Sequence, residues 1–246
     1  MKYSIELSIK IMNKIFFLLV AISCLPVVAQ QDSKEAKRIC RALFPNKPGD
    51  APNTVFLFDG KTSHKIYLSG KAFSSPVELP PGAITVFFSL SEILLPEELK
   101  PGLPSMTIPA RVTDLYLLAS SDPGNKLLPL RFNPINVNDE RLKPGEILWL
   151  NLSKHNVNAK LGNHQFIIPP MKQAISPPPR EGDGYYPAKF IYQQNGAGKF
   201  HKALNKTWRF QENSKSLGFI IDSGGRRPEI FTIRDRRTTP TPSTAE

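Results

Sequence analysis

Cysteine is nearly absent from this chain: only Cys24 and Cys40 occur in 246 residues. Cys24 falls within an N-terminal apolar stretch. If that stretch is removed, Cys40 stands alone and no intramolecular disulfide can form. The fold must then be held by its apolar core. Cys40 itself either pairs between chains or stays buried and inert. Long helices are excluded by the spread of 24 prolines, each of which removes a backbone donor and breaks a helix interior. Acid is also short, with 21 Asp and Glu against 32 Lys and Arg, for a formal charge of +11.

Several catalytic signatures are missing. The chain has no Gly-x-Ser-x-Gly elbow, and Asp222-Ser223-Gly224-Gly225 reads as a turn between strands. No glycine-rich loop follows a strand and opens a helix, which leaves nucleotide binding without support. Asp183 and Asp222 lack the dense oxygen ligands of a calcium loop, and Glu181 with Asp183 reads as a polar loop pair. His155 and His164 flank a predicted hairpin, but no nearby Cys, Asp or Glu supplies the third strong ligand a transition metal wants. The segment Trp149–His155 faintly resembles the strand that brings a copper-binding His in cupredoxins. Residues 206–237 contain no Cys, His or Met, which excludes a blue-copper centre. No catalytic residue, metal or cofactor is expected.

What is present begins with a leader. Lys10 and Lys14 precede the apolar run Ile15–Ile22, and Val27-Val28-Ala29 puts small residues at the −3 and −1 positions before Gln30. This is the pattern a signal peptidase needs. The core is shorter than the roughly 20 apolar residues that span a bilayer, so no stable transmembrane anchor is expected after cleavage. Met12-Asn13-Lys14 opens a more compact leader, and residues 1–11 read as an upstream start-site extension. Ser23 would suit lipidation of Cys24, but Ala21 stands where Leu is usual, and Cys24 reads as part of the leader. A periplasmic or extracellular location follows. The leader removes Lys2, Lys10, Lys14 and Glu6, so the basic excess persists. It favours an anionic cell-wall or lipid component, or an envelope protein, as partner; nucleic acid is not expected in that compartment.

Residues 30–53 are expected to form an N-terminal segment with one short helix over Glu35–Phe44, because Ala36, Ile39, Cys40 and Leu43 would share a face. From residue 54 the pattern is of short strands rich in branched and aromatic residues, separated by Pro, Gly, Asn and Asp. Ile84, Val86, Phe88 and Leu90 alternate with polar neighbours, as a strand with one wet side does. Ile147-Leu148-Trp149-Leu150 is apolar on both faces and predicts a central strand covered on both sides. The expected fold is all-β, an antiparallel β-sandwich. Pro81-Gly82-Ala83-Ile84 and Pro144-Gly145-Glu146-Ile147 each pair a turn with a strand. The recurrence records either two related β units, 54–120 and 121–237, or one turn device used twice. Residues 238–246 offer little to anchor them and are expected to be disordered.

Two groups of residues are candidates for binding. Arg226 and Arg227 open the last predicted strand, and Arg234, Arg236 and Arg237 close it; guanidinium groups grip phosphate or carboxylate bidentately. Equally, such charges guard strand edges against aggregation. Tyr185 and Tyr186 follow the proline-rich stretch Pro169–Pro187, expected to be a long loop, where they would stack on a glycan or a partner chain or pack onto the sandwich. The segments Pro144–Ser153, Trp208-Arg209-Phe210 and Leu217–Ile221 resemble an uncharacterised group of exported bacterial β-sandwich proteins of verrucomicrobial and planctomycete type. The resemblance spans about residues 111–235 and implies an envelope protein of sandwich type; no activity comes with it. The expected function is a non-enzymatic binding or assembly module of the cell envelope. An envelope glycan or peptide hydrolase and a structural subunit of an envelope complex are the alternatives.

Overall fold

Alternating side chains decide the layers. The computed structural model describes residues 38–194, 198–222, 224 and 227–235. The leader at 1–29, residues 35–37 of the expected helix, the arginines 226, 236 and 237, and the tail 238–246 lie outside the described residues. Among the described residues sixteen strands follow one another, with a 3-10 turn at Pro96–Glu98. In the first half they are β1 (Arg38–Leu43), β2 (Thr54–Phe58), β3 (Ser63–Tyr67), β4 (Val77–Leu79), β5 (Ile84–Ser89), β6 (Ser105–Ile108), β7 (Asp114–Ser121) and β8 (Leu130–Asn136). The second half runs β9 (Ile147–Asn151), β10 (Asn156–Leu161), β11 (His164–Ile168), β12 (Gln173–Ser176), β13 (Gly184–Gln193), β14 (Phe200–Phe210), β15 (Lys215–Ile221) and β16 (Glu229–Asp235). No helix among the described residues is long and apolar enough to cross a membrane.

These strands form four sheets: A (β4-β1-β7-β8), B (β3-β2-β5-β6), C (β12-β9-β15-β16) and D (β11-β10-β13-β14). Adding eight to each strand number turns sheet A into C and sheet B into D, so the topology is duplicated strand for strand. Most pairs are antiparallel, but β1 runs parallel to β7 and β9 parallel to β15. The expectation of a wholly antiparallel sandwich is corrected there. Parallel neighbours need a long crossover, and here five intervening strands supply it. The topological halves run 38–136 and 147–235; the turn near 122–129 connects β7 to β8 within the first.

The Pro-Gly recurrence does not follow the repeat. Gly82 and Gly145 take φ +80° and +83°, as the third position of a type II turn requires. However, Pro81-Gly82 launches β5 while Pro144-Gly145 launches β9, and these strands are not equivalent. It is a turn device used twice.

Three apolar clusters fill the spaces between layers. Cys40, Val55, Leu57, Phe88, Leu115 and Leu117 lie in the core between sheets A and B. Trp149, Val157, Phe190, Tyr186, Phe210 and Ile220 lie in the core between C and D. The third cluster joins the outer faces of A and C through Leu43, Tyr116, Leu118, Leu148, Leu150 and Phe219. Sheets A and C are therefore the inner layers, and the order is B, A, C, D. This accounts for β9, whose five residues are all buried: Trp149 enters one core, and Leu148 and Leu150 enter the other.

The same burial on two sides corrects the expected N-terminal helix. Residues 38–43 form β1, with Cys40 and Ala42 turned to the first core and Leu43 to the inner layer. A segment apolar on both faces carries no single period, so helical spacing matched it by chance. Pairing with β7 then settled its form. The proline-rich stretch is corrected as well: β12 and the start of β13 lie within it. Their partners β9 and β14 supply the ladders that the local sequence does not advertise.

Charges buried between the inner layers fix their register. Lys215 Nζ meets Asp139 Oδ1 at 2.7 Å and Asp114 Oδ2 at 3.3 Å, and also donates to the Val137 carbonyl. Asp235, buried in β16, accepts a 2.7 Å bond from the Tyr116 hydroxyl and pairs with Arg41 at 3.3 Å. Removing one member of such a pair strands the other charge away from water, which is why these contacts tie the halves together.

Candidate functional site

The repeat creates two equivalent mouths, where the last strand of each outer sheet approaches the last strand of the inner sheet behind it. In the first half β6 faces β8. That mouth is a cavity of about 180 Å³ lined by Phe88, Met106, Asp122, Arg131 and Phe132, among others. Phe88 and Phe132 stack at 3.9 Å, and Arg131 reaches Asp122 at 3.4 Å across the rim. In the second half β14 faces β16, and the mouth opens to about 1100 Å³. Its lining includes Tyr192, His201, Lys202, Lys206, Arg227 and Glu229.

Strand length explains the difference. β6 has four residues and β14 has eleven, and β14 is paired with β13 from end to end. At its far end it is held to β16: Arg234 donates to the Arg209 carbonyl at 2.6 Å and to Gln211 Oε1 at 2.8 Å. At its near end, Phe200 to Lys206, the two edges splay apart. Lys206 lies opposite Ala188, in the row that faces the core, yet on the edge strand it is exposed. His201 lies opposite Tyr192 in the same way.

Electrostatics reinforce the opening. The four strands of sheet D contain no Asp or Glu and carry Lys160, Lys189, Lys202, Lys206 and Arg209. Those of sheet B are also acid-free but carry only Lys65. Lys160 and Lys189 sit directly opposite each other on neighbouring strands, an arrangement that repels. Glu229 is the one acid in the groove lining. The field at this end of the second half is positive and attracts anions.

Behind the groove lies a buried polar knot. Tyr192 meets the ring of His155 edge-on at 5.0 Å and the ring of His201 at 5.7 Å. His155 Nε2 faces Asp222 Oδ1 at 3.4 Å, and its Nδ1 is buried with no hydrogen-bond partner among the described residues. Ser153 does not complete a catalytic chain. Its hydroxyl donates to Asn151 Oδ1 at 2.7 Å and accepts the His155 backbone N–H at 3.2 Å, so it meets neither ring nitrogen. Asn151 also donates to the carbonyls of His155 and Ile168, both at 2.8 Å. Its role is to close the turn after β9.

The candidates from sequence scatter. Arg227 lines the groove. Arg234 is seven residues farther, beyond Ile233, about 23 Å along an extended strand, and is engaged with β14. Tyr185 is exposed on the outer face of sheet D, beside Arg209. Tyr186 instead belongs to the second core, contrary to its expected place in a loop; adjacent strand residues point to opposite faces. Burial pushes its hydroxyl up to about 12, against the opposing influence of Arg234. Asp183 accepts the Glu212 backbone N–H at 2.9 Å, as a turn residue does. His155 and His164 sit at opposite ends of the β10–β11 hairpin, so their rings do not meet. No cluster of three or more His, Cys, Asp or Glu able to hold a metal occurs among the described residues. Cys40 is fully buried, and desolvation raises its thiol far above the ordinary range; it is not poised to link chains.

The cations that matter most, Lys202 and Lys206, were not singled out in the sequence. A signal was there: residues 199–210 contain Lys199, His201, Lys202, Lys206 and Arg209 without one acid. The chain matches no protein-family model and no curated protein, so the chemistry of the groove rests on its own geometry.

Proposed function

We propose that this chain is an exported, non-enzymatic binding or assembly module of the bacterial cell envelope, and that the groove between β14 and β16 receives an anionic partner. The observation that carries this is the contrast between equivalent mouths: one of about 180 Å³ narrowed by a phenylalanine stack, the other of about 1100 Å³ and rimmed by Lys202, Lys206 and Arg227. Edge lysines that merely prevent aggregation would not need a groove behind them. The leader at 12–29 supports export, with cleavage after Ala29; N-terminal sequencing of the processed protein should read from Gln30.

The binding test is sedimentation with isolated cell envelopes at low and high salt. The intact protein should co-sediment in a salt-sensitive manner, as screened charge contacts do. Lys202→Ala with Lys206→Ala and Arg227→Ala should release it while the fold is kept. Unchanged retention of a folded triple variant would refute the proposal. A role as a structural subunit draws support from one specific feature, the long unpaired stretch of β14.

A further inference from the structure

We infer that the groove is a strand-addition site, and that its occupant is an extended acidic peptide segment that pairs its backbone with the near edge of β14. This rests on the groove being the binding site and adds the chemical class of the partner. Among the described residues β14 pairs with β13 alone, with one register shift at Ala203, so its other edge presents N–H and C=O groups on both sides of that bulge. Only a polypeptide can satisfy these as a ladder. The stretch from Phe200 to Lys206, before the edge is held by Arg234, offers roughly 20 Å of strand.

The side chains around that edge differ in burial. Ala203, Leu204, Tyr192 and Ile230 form an apolar floor that belongs to or packs on the second core. Lys202, Lys206 and Arg227 form the rim. A strand with period two would place alternate apolar side chains on the floor and alternate carboxylates beside the rim. A phosphate polymer would meet the rim but leave floor and edge unused. A second copy of this chain fits poorly, because pairing β14 with its own counterpart sets Lys202, Lys206 and Arg209 against like charges. The first half shows the narrow alternative, with a short β6 and a mouth of about 180 Å³.

The test uses the full chain and a labelled decapeptide of alternating Glu and Val. Two N-methylated versions are compared, one on the Glu amides and one on the Val amides. Side-chain alternation fixes which amides face β14, so one version should bind about tenfold or more weakly while the other keeps its affinity. Lys202→Glu with Lys206→Glu should weaken the parent peptide by a similar factor, through like-charge repulsion. Equal affinity of the two methylated peptides would overturn strand addition. So would binding of inorganic polyphosphate, sensitive to the same charge reversals, without binding of the peptide; the anionic-groove reading would survive that result. If neither probe binds and envelope sedimentation ignores the charge reversals, both readings fall together.

Discussion

The first half of the body and the second share every strand pairing but distribute bulk in opposite senses. In the first, β1 brings Cys40 and Ala42 to the core, and its parallel partner β7 brings Leu115 and Leu117 beside them. In the second, β9 brings Trp149, and the residue beside it on β15 is Gly218. A Cβ on Gly218 would lie 2.3 Å from the Trp149 ring, so glycine there is a packing requirement. Both tryptophans of the chain are in the second half, where Trp149 stacks on Trp208 at 6.1 Å and tilts on Phe190 at 5.1 Å. Trp208 lies on β14. The tryptophan-bearing core of the second half thus anchors the long strand whose outer edge lines the groove, while the first core, with its Phe88–Phe132 stack, supports a short β6 and a narrow mouth. One topology gives a narrow mouth or a wide one, according to where its large side chains and its long strand are placed.

The largest expected effect breaks that difference at its centre. Trp149→Ala should cost about 3–5 kcal/mol in chemical denaturation, the usual range for emptying a buried aromatic site. Next, Asp235→Ala should cost about 3–5 kcal/mol by leaving Arg41 and Tyr116 without their buried carboxylate. It should lower the stability of both halves together, read by Trp fluorescence for the second and by thiol labelling at Cys40 for the first. If the fluorescence transition moves while Cys40 labelling does not, the inner-layer contact does not couple them. Gly218→Ala should cost about 1–3 kcal/mol through overpacking, but clearly less in a Trp149→Ala background, where space exists for the new methyl. Additive losses would show that the two sites do not share that volume.

The smallest effects separate the halves at the ends of the pH scale. Tyr186 belongs to the second core, and its folded pKa is raised to about 12. Its contribution is therefore fully present below about pH 10, the unfolded value, and is lost as pH rises toward 12. Tyr186→Phe should flatten alkaline destabilisation over that window. In the first half, burial works to raise Asp59, but the His64 ring at 2.9 Å and the backbone N–H groups of Thr62 and Lys61 outweigh it and hold the carboxyl below its ordinary value. That contribution is present above about pH 4 and fades as pH falls further, so Asp59→Asn should soften the acid transition. pH profiles of stability unchanged by either substitution would contradict these assignments.

Much of the architecture was legible because most strands have one wet face. β5, β10 and β16 could be read from alternation, and the two-sided apolarity of β9 correctly marked a strand covered by layers on both sides. The same property hid β1, since two buried faces erase the period. β4, β6 and β12 have only three or four residues and are defined by partners distant in sequence. The groove was beyond reach for a related reason. Arg227 and Lys202 line one groove because two edge strands are brought together by different sheets, and no local pattern records that. Tyr186 reads in the sequence as part of a loop, whereas it lies in β13 with its side chain in the second core.

The most direct measurement follows backbone amides of the full chain by NMR while the alternating Glu–Val decapeptide is added. Shifts confined to residues 200–206 and 227–230, with 105–108 and 130–132 unmoved, are what a wide second mouth and a narrow first one predict. Equal shifts at both mouths, or shifts at the first alone, would contradict the account.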